Sequence, residues 1–590
     1  MSQSQVPLRW SVATVLLVAA ATYANSLVNG FALDDEPIIA TGTRVHQLAD
    51  QATIWLTPYW SEHGGRAGLY RPLAIFTYAL QWAAGNGAPW LFHAVSILLH
   101  AGVCMLVLLL LRRMLGAAPA LAGALIFAVH PLHTEAVANI VGQAELIAAA
   151  CTVGACVLHV ARPAARVEAW RAAVMLLLFA AALLAKESAI VLPALLVTLD
   201  LGTRRAQAER NAATYARAVV PLLALLALAA FLWLALRARV LGSWAGTEAA
   251  PYLPFLQDSP GQRVLTALRV WPEYLRLLFW PVDLSADYSP AVIVPPENVT
   301  ASVIAGAVLL LATAVTALLL PWRPRLVAAA WFLIAVLPVS NLIVPIGVIL
   351  AERTLYLPSL AVAILAAQLV ANAPVSTSPA MRRALAAGAV VLLVLAGVRS
   401  GARNPAWRDT SAYWQALIRD HPESYRAQRG AGELMFARGD LALARRYLEL
   451  AWDTWPYDAD LAGGLGALYL RLGEPGLAIE RIERARALGD RSTQARQNLA
   501  LAYAAAGRHA ESAAAWHAVA MANPLGWHPW LQLARARIRA GDVNGGLAAA
   551  DTAYGLAPDD ASRAATDSVR ALIPATRTSL VVRTHGNPGR

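Results

Sequence analysis

The chain has 590 residues and a formal net charge of +11, with 58% hydrophobic and 14% charged residues. Its mean hydropathy of +0.50 is too high for a soluble enzyme of ordinary composition, so the sequence indicates a polytopic membrane protein. The positive charge would favour nucleic-acid binding in a soluble protein, but here many arginines lie in short links between apolar segments, where they act as topology signals. Cys104, Cys151 and Cys156 lack partners at metal-ligand spacing and indicate small core residues without a disulfide framework.

A membrane-spanning helix needs roughly 20 mostly apolar residues, and on that criterion the chain contains about eleven candidate spans. They lie near residues 10–29, 89–111, 117–131, 144–161, 171–185, 188–201, 218–237, 301–320, 326–345, 354–372 and 384–399. Basic residues follow alternate spans, which predicts a cytoplasmic N-terminus and places everything after residue 399 on the outer face. A cleaved signal peptide is the alternative for the first span, because Thr22-Tyr23-Ala24 ends in a small residue.

Three consecutive carboxylates, Asp34, Asp35 and Glu36, follow the first span at the boundary between lipid and water. Acidic residues at that depth are costly, so a functional role is the default interpretation. A solvated loop that merely ends a helix is the alternative.

Further polar residues interrupt the apolar segments on the same side. His130, His133 and Glu135 break an apolar run, which is tolerated where the break lines a polar cavity. Lys186 is the only lysine in the chain and precedes Glu187, so its ammonium either meets a phosphate as a point charge or pairs with its neighbour. The same two interpretations, a phosphate contact or a local ion pair, apply to Arg353 beside Glu352. The motif Tyr70-Arg71-Pro72 adds one more fixed cation.

The segment from about residue 240 to 300 is rich in aromatic residues, which suits either a membrane-surface helix over a cavity or an interfacial belt. These aromatic residues include Trp244, Tyr252, Trp271, Tyr274 and Trp280.

The C-terminal region repeats with a period of 34 residues, which is the tetratricopeptide (TPR) period. The period is read from Gly439, Gly473, Gly507 and Gly541. Small residues recur where paired helices must touch, at Gly432, Gly466, Ala500 and Ala534. Repeats of this type stack into a solenoid with a concave surface that holds peptides or partner proteins. We therefore predict an all-α chain with a transmembrane domain at 1–400, a linker at 401–421, a solenoid of about four repeats at 422–560, and a cap and loose tail at 561–590.

An ordered set of motifs resembles the transmembrane and TPR-containing O-mannosyltransferases of the GT-C superfamily of polyprenyl-phosphate-sugar-dependent glycosyltransferases. The motifs are Phe31 to Ile39, Tyr70 to Leu73, His93, Leu98 to His100, His130 to Val137, Gly142 to Leu146, Lys186-Glu187, Leu284 to Tyr288, Ala351 to Pro358 and Arg403 to Trp407. Gln143 departs from the pattern, because the family usually has an arginine there. The repeats are also fewer than in eukaryotic members. The alanine- and arginine-rich, lysine-poor composition suits a bacterial member, so the donor would be an undecaprenyl-type lipid. In a bacterial inner membrane the predicted topology then places the TPR domain in the periplasm.

The resemblance implies a GT-C-like helical domain that transfers mannose or another hexose from a polyprenyl-phosphate donor to a protein Ser/Thr hydroxyl, with inversion and with the TPR domain presenting the acceptor. Such transfer requires a carboxylate to take the hydroxyl proton and cations to hold the leaving phosphate. We predict Asp34 or Asp35 as the general base. The predicted residues for the lipid phosphate or sugar are Arg71, His130, His133, Glu135, Lys186 and Arg353.

No cofactor is firmly predicted. An oxygen site for Mg²⁺ or Mn²⁺ completed by Asp287 and Glu36 is left open. A membrane-anchored TPR scaffold for envelope protein assembly is the alternative function, and a lipid-linked sugar transporter is disfavoured because the polar residues gather on one face.

Overall fold

The computed structural model describes residues 7–61, 68–162, 167–203, 212–244, 259–319, 326–374 and 378–569. The chain divides into two compact units, Met1–Ser424 and Tyr425–Arg590. Every regular element in the described residues is a helix, and these residues contain no strand. The predicted all-α class is confirmed. The part of the predicted tail after residue 569 lies outside the described residues, and so does Tyr252 of the aromatic-rich segment.

The first unit is built from helices that alternate between long apolar helices and short ones. In chain order they are α1 Leu8–Tyr23, α2 Thr43–His46, α3 Gln51–Leu56, α4 Pro72–Gly85, α5 Pro89–Leu115, α6 Ala117–Val129, α7 Thr134–Ala138, α8 Gln143–Val160, α9 Ala169–Ala185, α10 Leu192–Gly202, α11 Ala212–Leu241, α12 Pro260–Phe279, α13 Ala301–Leu318, α14 Val327–Val336, α15 Leu360–Ala371, α16 Pro379–Arg403 and α17 Thr410–Asp420.

Six helical stretches in the described residues are long and apolar enough to cross a membrane, or seven if the bent pair α6 and α7 forms one span. The six are Leu8–Val28, Pro89–Leu115, Ile140–Val160, Val219–Leu241, Ala301–Leu318 and Pro379–Trp407. Several other predicted spans are shorter helices than the apolar runs suggest, among them α9, α14 and α15. The unit therefore combines full spans with interrupted apolar helices.

Prolines lie at three of the interruptions, where they break the helix because proline cannot donate a backbone hydrogen bond inside it. Pro131 begins a short 3₁₀ turn between α6 and α7, and the two helices are bent by 49°. Pro338 lies in the turn that follows α14, and Pro358 lies just before α15. These interruptions place polar backbone and side chains at the ends of apolar helices, where the candidate residues lie.

The second unit consists of four antiparallel helix pairs followed by one short helix. The helices are α18 Tyr425–Arg438, α19 Leu441–Thr454, α20 Ala459–Leu472, α21 Pro475–Ala487, α22 Thr493–Ala505, α23 His509–Ala522, α24 Trp527–Arg539, α25 Val543–Leu556 and α26 Asp560–Asp567. The period of 34 residues is explained by chain geometry. One or two residues after the first helix of each pair stands a glycine with positive φ, between 73° and 91°: Gly439, Gly473, Gly507 and Gly541. Only glycine adopts that conformation without steric cost, so it ends each first helix at the same repeat position.

Small residues keep the paired helices close, as the sequence predicts. A Cβ atom added at Gly432 would collide with Leu448, and one added at Gly466 would collide with Ile482. The TPR fold of this region is confirmed by these helix pairs.

Candidate functional site

The acidic triplet lies in an ordered loop that follows α1. A 3₁₀ turn, Ala24–Val28, ends the first span, and a π-helical turn, Glu36–Ala40, begins directly after Asp35. Leu33 has φ of 51°, a strained conformation for a branched residue, and its N–H donates to Thr410 Oγ1 at 2.8 Å. Strain of this kind persists only where surrounding contacts enforce it, and it concentrates at functional sites.

The two aspartates have different surroundings. Asp35 is 1% exposed, and its carboxylate accepts hydrogen bonds from the backbone N–H groups of Val141 at 2.9 Å and Ala32 at 3.2 Å. Burial raises the pKa of Asp35 to about 7, although these two N–H donors oppose the rise. Asp34 is only half-buried, and the described structure gives its carboxylate no hydrogen bond. Asp35 therefore holds the loop in place, whereas Asp34 keeps a carboxylate available.

Two of the predicted cations form ion pairs with carboxylates from other elements. Arg71, just before α4, donates to Glu187 twice, from Nε at 3.0 Å and from Nη2 at 2.5 Å. Lys186 is 5% exposed, and its Nζ donates to Glu145 at the start of α8. Burial would raise the pKa of Glu187, but Arg71 and Lys186 hold that pKa at about 2. Lys186 thus pairs with Glu145 and only neighbours Glu187.

The third cation, Arg353, lies in the 3₁₀ turn Glu352–Leu355. Its bonds to Glu135 connect this turn to α7. Its backbone N–H donates to Glu135 Oε2 at 2.8 Å, and its guanidinium donates to Glu135 Oε1. Glu135 is 1% exposed, whereas the Arg353 side chain is 29% exposed. The backbone of Arg353 is therefore held in place by Glu135, while part of its side chain remains accessible.

These charges act on one another and form one site, which we call the charge cluster: Asp34, Arg71, Glu135, Glu145, Lys186, Glu187 and Arg353. Arg353 interacts electrostatically with Asp34 and with Glu145. Lys186 interacts with Arg71 and Arg353, and Arg71 also interacts with Glu145. Five of the eight residues predicted from the sequence thus belong to the charge cluster, namely Asp34, Arg71, Glu135, Lys186 and Arg353. Asp35 holds the loop that carries Asp34 through its bonds to Ala32 and Val141.

The two predicted histidines lie in a different, packed environment. His130 Nε2 shares a hydrogen bond with the Leu278 carbonyl oxygen at 3.0 Å, and His133 Nε2 shares one with Ser359 Oγ at 2.7 Å. The His133 ring is fully buried and lies 4.5 Å from the Tyr356 ring centroid. Both imidazoles are buried, and these bonds tie the bent segment to Leu278 and Ser359.

Gln143, the departure from the family pattern, is fully buried. Its side-chain amide bonds Gln81, Ser96 and the Phe92 carbonyl oxygen at 2.8 to 3.2 Å. A neutral hydrogen-bond network therefore stands where the pattern has a cation.

A second carboxylate centre lies around Glu352. Its Oε1 accepts from the Ser285 N–H at 2.6 Å and from the Tyr288 hydroxyl at 2.8 Å. Burial raises the pKa of Glu352 to about 8, although Arg403 opposes the rise. Asp287, in the same segment, accepts from Ser424 Oγ at 2.8 Å. This centre joins the segment 284–289 to the turn that carries Arg353.

The two residues considered for a metal site are engaged separately: Asp287 as above, and Glu36 with Thr410 Oγ1 at 2.6 Å. Across the residues that the structure describes, no group of three or more His, Cys, Asp or Glu side chains is arranged to hold a metal ion.

Sequence reasoning missed two residues beside the charge cluster. The Tyr59 ring lies 5.6 Å from the Arg71 guanidinium, and Tyr59 interacts electrostatically with Asp34. Arg237, in the last turns of α11, interacts with Glu187 and Arg71. Tyr59 lies in a loop without a recognisable motif, and Arg237 falls at the end of an apolar run, so only the fold brings them here.

No family model matches the chain. Among curated proteins it is similar to the mouse protein O-mannosyl-transferase TMTC3, at 24% identity over 78% of this chain and 53% of that protein. Drosophila melanogaster Tmtc1 is 25% identical over 75% of this chain and 61% of its own length. Tmtc2 of the same organism is 34% identical over 46% of this chain and 29% of its own length.

Solved structures similar to parts of the chain include MamA, at 18% identity, 26% of this chain, 82% of that chain and a TM-score of 0.24. YrrB, described as a TPR protein with an unusual peptide-binding site, is 19% identical over 32% of this chain and 97% of its own chain, with a TM-score of 0.25. The chain spans about half the length of the first curated relatives that it matches. Its curated relatives are TMTC-type protein O-mannosyl-transferases, similar to it at modest identity over much of its length, which confirms the resemblance found in the sequence.

Proposed function

We propose that this protein is a membrane glycosyltransferase that moves a hexose, with mannose as the first candidate, from a polyprenyl-phosphate donor to a Ser or Thr hydroxyl of a protein. The observation that carries the proposal is the charge cluster, in which a half-buried carboxylate without a hydrogen-bond partner in the described structure, Asp34, acts on an accessible guanidinium, Arg353. The names of the curated relatives support the same reaction class.

Asp34 is the better candidate for the general base. The carboxylate of Asp35 is already bonded to two backbone N–H groups and is buried, so it has no room for an acceptor hydroxyl. Asp34 is half-buried and free to accept a proton from a hydroxyl at hydrogen-bond distance. Asp35 then acts as a positioning residue, because its bond to Val141 fixes the backbone next to Asp34.

The reaction follows as a single displacement in the GT-C manner. The acceptor hydroxyl loses its proton to Asp34 and its oxygen forms a bond to the anomeric carbon, while the bond from that carbon to the phosphate oxygen breaks and the electron pair leaves with the phosphate. Arg71, Lys186 and Arg353 stabilise the charge that develops on the phosphate. A single displacement inverts the anomeric configuration and requires no enzyme nucleophile.

The carboxylate partners of these cations have a role before substrate arrives. Buried cations without partners are costly, and Glu187, Glu145 and Glu135 supply those partners in the structure. A phosphate that enters the cluster adds a second anion beside each cation, so Arg353, the most exposed of the three, is the first candidate for direct contact.

The proposal includes the outer, periplasmic face of a bacterial inner membrane as the site of reaction and the TPR unit as the part that binds the acceptor. The excess of arginine at the opposite ends of the spans supports the orientation. The four helix pairs of the second unit support a peptide-binding role, since such pairs stack into extended concave surfaces.

Mass spectrometry of envelope proteins from cells with and without the gene tests the proposal. We expect hexose on Ser and Thr residues of a defined set of peptides, lost in the deletion strain and restored by the wild-type gene but not by the Asp34→Asn variant. An unchanged set of hexose-bearing peptides in the deletion strain would contradict the proposal and favour the scaffold function.

A further inference from the structure

The mechanism above leaves Arg237 unused, although it adds a fourth cation beside the charge cluster. Its Nη2 donates to the Gly68 carbonyl oxygen at 2.8 Å, in the segment that leads directly to Arg71. Its Nη1 donates to the Trp244 carbonyl oxygen at 3.3 Å. Both bonds go to neutral backbone oxygens, and within the described part of the chain Arg237 is bonded to no carboxylate. Arg71, Lys186 and Arg353 differ from it, since each bonds a carboxylate.

The position of Arg237 in α11 places it where lipid meets the site. Leu228, Phe231 and Leu232 are between 53% and 59% exposed, so this side of the helix faces the hydrocarbon of the bilayer. Trp233, one turn before Arg237, is 8% exposed and packs inward. Arg237 is itself half-buried and acts electrostatically on Arg71 and Glu187. It is thus a cation near the C-terminal end of α11, on the inward side of a helix whose opposite side is exposed and apolar, next to the buried charges.

This combination fits an amphipathic anion. An apolar chain can lie along the exposed side of α11 while its head group reaches past that side to the inward guanidinium groups of Arg237 and Arg71. Guanidinium groups present several N–H donors in a plane and match the oxygens of a phosphate. The ligand chemistry is therefore a phosphate attached to a hydrocarbon chain, and the cluster behind Arg71 favours the donor lipid over an ordinary phospholipid.

We propose that Arg237, together with Arg71, receives the phosphate of the polyprenyl-phosphate sugar as the lipid enters from the bilayer beside α11. The inference rests on the proposed function and adds to it a place of entry. Arg237 binds the phosphate first, and Arg71, Lys186 and Arg353 hold it where Asp34 acts.

The test measures binding of undecaprenyl phosphate to the full-length protein in detergent micelles, with phosphatidylglycerol as a second lipid. Arg237→Gln keeps an N–H donor for the Gly68 carbonyl but removes the charge. Arg239→Gln is the matched control, since Arg239 lies two residues away on the same helix and is exposed. We expect Arg237→Gln to weaken undecaprenyl phosphate binding about tenfold, the loss expected for one charge-assisted hydrogen bond, and Arg239→Gln to change it less than about twofold.

Arg237→Lys guards against a merely structural explanation. It keeps the charge, so we expect it to retain most of the affinity even if both Arg237 variants lower the melting temperature. Equal binding by Arg237→Gln and the wild type would overturn the inference, and so would an equal loss of phosphatidylglycerol binding, which indicates a general site for anionic lipids.

The inference and the proposed function fail in different ways. A wild-type protein that binds no undecaprenyl phosphate contradicts both. If Asp34→Asn abolishes hexose transfer while Arg237→Gln binds undecaprenyl phosphate normally, the proposed function stands and only the place of entry is wrong.

Discussion

At the scale of single residues, the fold gives similar side chains different roles through burial and partners. Asp34 and Asp35 are adjacent, yet only Asp35 is bonded to two backbone N–H groups. Glu352 and Arg353 are also adjacent, yet Glu352 bonds Ser285 and Tyr288 while Arg353 bonds Glu135. Residues that are adjacent in sequence thus have different partners, and substituting each of them should have a different effect.

The buried pair of Lys186 and Glu145 gives one prediction. Lys186→Met should lower the free energy of unfolding by about 3–5 kcal/mol, because it leaves the Glu145 carboxylate buried without its cation. The double variant Lys186→Met, Glu145→Gln should recover most of that loss, since no unpaired charge remains. Chemical unfolding of the three proteins in the same detergent measures both effects. Equal stabilities of the single and double variants would show that the pair is not coupled.

Glu352 gives a prediction about pH. Its pKa in the fold is about 8, above the ordinary value of 4.5, so its protonated form favours the folded state. The stability that it contributes is fully present below pH about 4.5 and is lost as the pH rises through 8. Glu352→Gln keeps an acceptor oxygen for Ser285 and Tyr288 and carries no charge, so its melting temperature should vary less between pH 5 and 8 than that of the wild type.

Glu352→Ala is the contrasting variant. It leaves the Tyr288 hydroxyl without its acceptor and the Ser285 N–H with only its longer bond to the Tyr288 oxygen at 3.2 Å, and should cost about 1–3 kcal/mol at both pH values. A Glu352→Gln protein with the pH dependence of the wild type would show that another group titrates in this range.

At the scale of elements, the solenoid was more predictable than the membrane unit. Each TPR helix pair is defined by local features, a glycine with positive φ and a small residue at the contact, and both are visible in the sequence. The bent pair α6 and α7 depends on contacts between distant segments, such as Arg353 with Glu135. The predictions for Arg71 and Lys186 needed only their place at helix ends. The surroundings of His130 and His133 could not be predicted from their spacing in the sequence, because their hydrogen-bond partners, Leu278 and Ser359, are far away along the chain.

Two glycines of α20 test the role of small residues in the solenoid. Gly466→Ala should destabilise the second unit by about 1–3 kcal/mol, because the added methyl group collides with Ile482. Gly464→Ala is the matched control: no atom lies within 4 Å of its Cβ position, so it should stabilise the helix by about 0.5–1 kcal/mol. Limited proteolysis of the full-length protein with denaturant follows both. The same sign of change for both variants would contradict the packing explanation.

At the scale of the whole molecule, the chain joins a membrane unit with a buried charge cluster to a solenoid with its own core. The sequence predicted this order of parts because hydropathy and the 34-residue period are both read along the chain. It could not predict which charges meet, since Glu145, Lys186 and Arg353 are far apart in sequence and converge only through helix packing.

A chain that ends at Ser424 separates the two roles. It retains all residues of the charge cluster, so we expect it to bind undecaprenyl phosphate with the affinity of the full chain. We expect it to lose transfer to protein acceptors, because the proposed acceptor-binding unit is missing. Lipid binding is measured in micelles, and hexose transfer is measured on an envelope protein extract. Undiminished transfer by the shortened chain would contradict a role of the TPR unit in presenting acceptors.

Asp34 is the proposed base of a sugar-transfer site, and sugar transfer by purified protein in liposomes is the decisive assay for that role. The assay supplies a polyprenyl-phosphate mannose and an envelope protein extract to the wild type, Asp34→Asn and Glu36→Gln, the last being an exposed acid two residues away. We expect Asp34→Asn to lose transfer by at least about 100-fold, the usual contribution of a general base, while its melting temperature stays unchanged and Glu36→Gln retains activity. Transfer at the wild-type rate by Asp34→Asn would contradict that role.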